Sequence, residues 1–193
     1  MEIPSRQERE WLMAFQLGAV YVVWSPANTR CAIGATQDLG KALAAQRRSI
    51  GRDAQLARVW WLSSLEAALD LAAAVGTALA STTTVEEIES RIREAARRLG
   101  IPLAEHDVTL ARVRSALARL DHGLELAKSR GVLSFFNSRY RFLREKAVAA
   151  GQPFQSYGMA YNRLKAEIAK RLAERDGRLP DLSGIVDVIL PLK

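Results

Sequence analysis

"GAVYVVWSPANTRCAIGATQDLGKALAAQRR", residues 18–48, places two short apolar runs on either side of a turn and follows them with a helix. Ala19 to Trp24 is an unbroken series rich in β-branched and aromatic side chains, the composition of a buried strand. "SPAN" at 25–28 supplies turn residues, and Arg30 to Thr36 reads as a second strand ending near Gly34, so the pair predicts a hairpin. Asp38 then stands where a helix N-cap is needed, and the helix is expected to reach Arg48.

Outward from this stretch, Arg6 to Gln16 has the pattern of a short amphipathic helix that Gly18 ends. Downstream, "LARVWWLSS" at 56–64 predicts a third strand, and Ser64 caps an alanine-rich helix from Leu65 to about Ala80. The order β-β-α-β-α predicts an α+β domain over residues 1–80: a small three-stranded sheet with flanking helices. "STTT" at 81–84 marks the expected boundary, because Thr84 and Glu87 form a capping box and the remaining pattern is helical. A mostly α-helical domain is therefore expected over 81–193.

In that domain Val85, Ile88, Ile92, Ala95 and Leu99 mark one face of a first helix, stopped by Gly100 and Pro102. Leu110, Val113, Leu117, Leu120, Leu124 and Ala127 step by three and four, a stripe that serves either as core or as a seam joining two copies through residues 110–127. Two more helices, Leu133 to Ala149 and Ser156 to about Arg175, are separated by "AGQPFQ", where Gly151 stops the first and Pro153 prevents continuation. The tail "LSGIVDVILPLK" has strand composition, so residues 185–190 are expected to join the sheet or pair with another chain.

At 193 residues and 49% hydrophobic content the chain is large enough for a packed core. No run of about 18 uncharged apolar residues appears and the first residues are charged, so a soluble cytoplasmic protein with no membrane partner is expected. Cys31 is the single cysteine and the histidines are His106 and His122. Neither a metal site nor a cofactor motif follows from them, and no Walker or dinucleotide loop is present. The net charge of +7 is uneven. Residues 1–80 hold 8 basic and 7 acidic side chains, 81–130 hold 9 and 8, and 131–193 hold 11 and 6. The surplus lies in the last third, and a polyanion is its natural partner.

Residues 18 to about 76 resemble a GIY-YIG domain, a family of small nuclease folds. Ala19, Val20 and Tyr21 stand at the first motif, Ala32, Ile33 and Gly34 at the second, and "GATQDLGKAL" follows the family's spacing of glycine, threonine and leucine. The resemblance implies a catalytic arginine three residues after Leu39 and a metal-binding glutamate on the helix after the third strand. Those positions are Ala42 and Ala72 here. Phosphodiester hydrolysis depends on a metal and a cation to stabilise charge on the phosphoryl oxygens, and alanine supplies neither. Lys41 or Arg47, with Glu66 or Asp70, would have to act from other turns or faces. The resemblance therefore implies a vestigial site at Tyr21, Gly34, Ala42 and Ala72 with no catalytic residue. An active metal-dependent endonuclease using displaced residues is the alternative, and a protein-interaction adaptor is another.

The basic residues of the last third lie among aromatic ones. Arg139, Arg141, Arg144, Lys146, Arg163, Lys165, Lys170 and Arg171 face only Glu145 and Glu167 between residues 134 and 171. Leu133, Phe136, Tyr140, Leu143 and Ala147 make the core stripe, leaving the cations for phosphates. If the two helices dock as a helix pair, the start of the second faces bases, which nominates Gln155, Ser156, Tyr157, Asn162 and Arg163. The expectation is a non-catalytic DNA-binding protein, a regulator or accessory factor in bacterial or mobile-element DNA transactions, with RNA as a second candidate polyanion.

Overall fold

The computed structural model describes residues 1–76, 84–173 and 181–191. The chain divides into two compact units, Met1–Arg114 and Ser115–Lys193. The fold is α+β, as the residue pattern predicts. Helix α1 (Arg6–Ala14) opens unit 1 with a capping box between Ser5 and Glu8. Strands β1 (Gly18–Ser25) and β2 (Arg30–Thr36) form the hairpin, α2 (Leu39–Ser49) follows, then β3 (Gln55–Leu62) and α3 (Leu65–Val75). Asp38 caps α2 by accepting from the Gly40 and Lys41 amides, and Ser64 caps α3 through the Ala67 amide.

The sheet is antiparallel with strand order β2-β1-β3-β4, one strand more than the sequence predicts. The fourth, β4, is only Ala104–Glu105, paired with Trp61 and Trp60. Two residues are too few to show an alternating pattern, so this edge strand leaves no trace in the composition.

Side-chain alternation assigns the layers. Val20, Val22, Ile33, Trp60 and Leu62 point to one face, where they form a core with Ala68 and Leu71 of α3 and with Ile88, Ile92, Ala95 and Ala96 of α4 (Val85–Leu99). Helix α4 therefore belongs with the sheet, not with the later helices. Its Thr84–Glu87 capping box and its left-handed Gly100 stop are as expected, but its apolar face is claimed by Trp60 and its neighbours. The first three residues of "STTT" lie outside the described residues, as does the far end of the helix expected to reach Ala80.

Gly18 is required by close approach: a Cβ there would collide with the Ser64 carbonyl oxygen at the start of α3. On the other side of unit 1, Trp61 donates through Nε1 to His106 Nδ1 at 3.1 Å, which leaves His106 Nε2 to donate to the Glu2 carbonyl at 2.9 Å. Arg114 reaches back to the same N-terminal segment, donating to Glu8 at 2.6 Å and to Glu2 at 2.7 Å.

Helix α5 (His106–Ser129) crosses from the first unit into the second, which also contains α6 (Val132–Ala149), α7 (Tyr157–Ala173) and α8 (Ile185–Ile189). Leu110, Val113, Leu117, Leu120 and Ala127 are buried within the single chain, the core alternative of the two the stripe allows. At Gly123 a Cβ would collide with Leu172 and Ile168 of α7, so the glycine sets how closely α5 and α7 approach. An aromatic cluster of Phe136, Tyr140, Phe154, Tyr157 and Tyr161, with ring centroids 5.2–6.3 Å apart, joins α6 to α7.

Residues 185–190 correct the sequence expectation of a strand. They form α8 and its end, with Ile185, Val186, Ile189 and Leu190 buried and Val188 exposed. The spacing i, i+1, i+4, i+5 is helical, and the left-handed Gly184 turns the chain into it, so periodicity overrides β-branched composition. Among the described residues no helix is long and apolar enough to cross a membrane.

Candidate nucleic-acid interface

Tyr21 and Gly34 face each other directly across β1 and β2. The tyrosine ring lies over the glycine so closely that a Cβ at 34 would collide with the Tyr21 hydroxyl. Tyr21 is only 5% exposed, and Gln46 of α2 donates to its Oη at 3.4 Å. Ala42 is half-buried on that same helix. Ala72, by contrast, is buried on α3, which packs on the face carrying Val20 and Val22, opposite Tyr21. Three of the four positions that the resemblance nominates thus share one side of the sheet and the fourth belongs to the other.

The displaced residues are no better placed. Glu66 and Asp70 are exposed on α3, Lys41 is exposed at the start of α2, and Arg47 donates through Nε to the Ala54 carbonyl at 3.0 Å. Among the described residues no three His, Cys, Asp or Glu side chains gather to hold a metal ion.

In unit 2 the cations divide by what they touch. Arg139 is turned inward, its side chain 17% exposed, and pairs with Asp187 of α8 at 3.2 Å. Arg171 pairs with Glu167 at 3.1 Å and donates to the carbonyls of Asp181 at 2.7 Å and Ser183 at 3.0 Å. Both hold helix α8 and the segment before it against the bundle. Lys146 stacks over Phe142 with its Nζ 5.6 Å from the ring centre, and Lys165 over Tyr161 at 5.3 Å. Lys170 and Asn162 stand exposed on α7.

Arg141 and Arg144 are different. They line an open groove of about 730 Å³ with Asn137, Tyr140, Val148 and Tyr157. Positions 137, 141, 144 and 148 recur at helical spacing along one stripe of α6, and Tyr157 comes from the first turn of α7. Tyr157 donates to Asn137 Oδ1 at 2.8 Å, and Tyr140 donates to the Gln155 carbonyl at 2.8 Å, which fixes the inter-helix turn. Gln155 also accepts from Arg163 at 3.3 Å, and Ser156 caps the helix by accepting from the Met159 amide at 3.3 Å. The groove therefore offers two arginines, an amide and a half-exposed tyrosine ring, with Glu145 at its margin. Guanidinium groups suit phosphate oxygens, and a tyrosine face suits an unpaired base.

A second cationic cleft lies in unit 1, among residues 1–80, where the count of 8 basic against 7 acidic side chains gives no hint of one. Arg30, Arg47, Arg48 and Arg52 surround an open space of about 700 Å³. Three of the four come from "QRRSIGRD" at 46–53, a signal legible as a cationic helix end once it is read locally. Comparison with protein-family models, with curated proteins and with solved structures finds no match for this chain.

Proposed function

We propose that this chain is a non-catalytic nucleic-acid-binding protein, with DNA as its ligand, acting in the cytoplasm on a scaffold derived from a GIY-YIG-like domain. The observation that carries the reading is the α6 groove, where Arg141 and Arg144 stand beside Asn137 and Tyr157 and form no ion pair among the described residues. Two arginines on one helical stripe can follow successive phosphates, and the tyrosine can contact a sugar or base. The non-catalytic half of the reading rests on Ala42 and Ala72, which provide no ligand and no cation, and on their separation by the sheet.

The test is binding of a labelled duplex by the full chain across a salt series, with Arg141→Gln/Arg144→Gln as the variant. Loss of two phosphate contacts is expected to lower the slope of log K against log salt by about 1.8. An unchanged slope would remove the groove from the interface. A supercoiled plasmid incubated with magnesium or manganese is expected to stay intact, and nicking that disappears in Tyr21→Phe would establish the endonuclease instead. Competition by RNA of the same length decides between the two polyanions.

A further inference from the structure

We infer that the arginine cleft of unit 1 is a binding site for the phosphodiester backbone of nucleic acid, separate in its residues from the α6 groove. Its walls are two loops, the β1–β2 turn and the α2–β3 connection, and they are tied together. Asn28 donates to the Ile50 carbonyl at 2.6 Å, and Asp53 accepts from the Ala27 amide at 2.7 Å and from the Ser25 hydroxyl at 2.8 Å. Gly51, at φ +142°, lies where any Cβ would press on the side chains of Asn28, Asp53 and Ser25, so these side chains pack directly against its backbone.

These ties also fix the carboxylate nearest the cleft. Asp53 is the one carboxylate in the α2–β3 connection, and both its oxygens are occupied by the opposite loop. Arg30, Arg48 and Arg52 have no hydrogen bond or ion pair among the described residues. Arg47 is anchored through Nε to the Ala54 carbonyl, and its terminal nitrogens have no partner among the described residues. Four guanidinium groups beside the one carboxylate of Asp53 leave the cleft net positive, a setting that suits phosphate oxygens. No aromatic side chain lines the cleft and Ile50 is its one apolar wall, so it has no surface on which to stack a base. That favours a polymer backbone, read without regard to sequence, over a mononucleotide.

The inference rests on the proposed nucleic-acid function, and the two can fail separately. The full chain and its Arg30→Gln/Arg48→Gln/Arg52→Gln variant would be titrated by fluorescence anisotropy against a labelled 20-base-pair duplex of arbitrary sequence. Arg47 is left in place because it also holds the loop. Three lost phosphate contacts are expected to lower the salt slope by about 2.7, while the Arg30→Lys/Arg48→Lys/Arg52→Lys variant keeps a slope close to that of the parent chain. An unchanged slope in the Gln variant overturns the cleft, and the α6 reading stands if Arg141→Gln/Arg144→Gln still weakens binding. A Lys variant that falls as far as the Gln variant also overturns it. Failure of the parent chain to bind the duplex at low salt overturns both readings. Tripolyphosphate that raises the melting temperature of the parent but not of the Gln variant, with duplex binding equal in the two, would reassign the cleft to a soluble polyphosphate and so overturn the backbone claim.

Discussion

The last third of the chain carries 11 basic side chains against 6 acidic ones, and the first 80 residues carry 8 against 7, yet neither count says which cations are open to a ligand. In unit 2, Arg139 and Arg171 are structural ties to α8 and the segment before it. In unit 1 several acids are committed to partners other than the cleft's arginines: Asp38 caps α2, Asp53 bridges two loops, Glu8 meets Arg114 and Glu89 meets Arg58 and Arg93. Four arginines line the cleft, and none of them forms an ion pair among the described residues. Net charge counts side chains, whereas a phosphate meets only those that packing has left open.

The comparison can be broken first through the cores that present each surface. Phe136→Ala removes the centre of the α6–α7 aromatic cluster and is expected to cost about 3–5 kcal/mol, measured by denaturant unfolding. Retained stability would mean that the groove does not depend on the cluster. Gly18→Ala acts on unit 1, where the new methyl meets the Ser64 carbonyl, and about 1–3 kcal/mol is expected for the displacement it forces.

A smaller effect separates the units by pH. Burial alone would raise the Glu8 carboxyl, but hydrogen bonds from Arg114 and from the Ser5 amide outweigh it and hold the group below its ordinary value of 4.5. A lowered carboxyl stabilises the fold fully above its unfolded value and loses that contribution as pH falls through the folded one. Glu8→Gln is therefore expected to lower stability by about 1–2 kcal/mol near neutrality. The gap between parent and variant should close as the pH is taken well below 4.5, and thermal melts across that range check it. A gap that persists in acid would contradict the pairing. The smallest effect belongs to Tyr21→Phe, which removes one long hydrogen bond from Gln46 and should cost less than about 1 kcal/mol with no change in duplex affinity.

How much was legible in the sequence follows from range. The hairpin, the three longer strands and the caps at Asp38, Ser64 and Thr84 depend on neighbours within a few residues, and all appear at the expected positions. The place of α4 was not legible, because its amphipathic face looks the same whether it meets Trp60 or another helix. Residues 185–190 were misread from composition although their apolar spacing was already helical. The four positions nominated by the resemblance could have been divided in advance, since Tyr21 and Val20 must point to opposite faces of a strand. The fate of Arg139 could not, because Asp187 lies far along the chain on an element read as a strand.

The central claim is that availability, not net charge, places the nucleic-acid contacts. Two double variants with identical charge change test it: Arg139→Gln/Arg171→Gln and Arg141→Gln/Arg144→Gln, titrated against one duplex over one salt series. The groove pair is expected to lower the salt slope by about 1.8 with little change in melting temperature. The ion-paired pair is expected to lower the melting temperature and leave the slope of the folded protein as it was. Equal losses of slope in the two variants would show that only the summed charge matters and would contradict the claim.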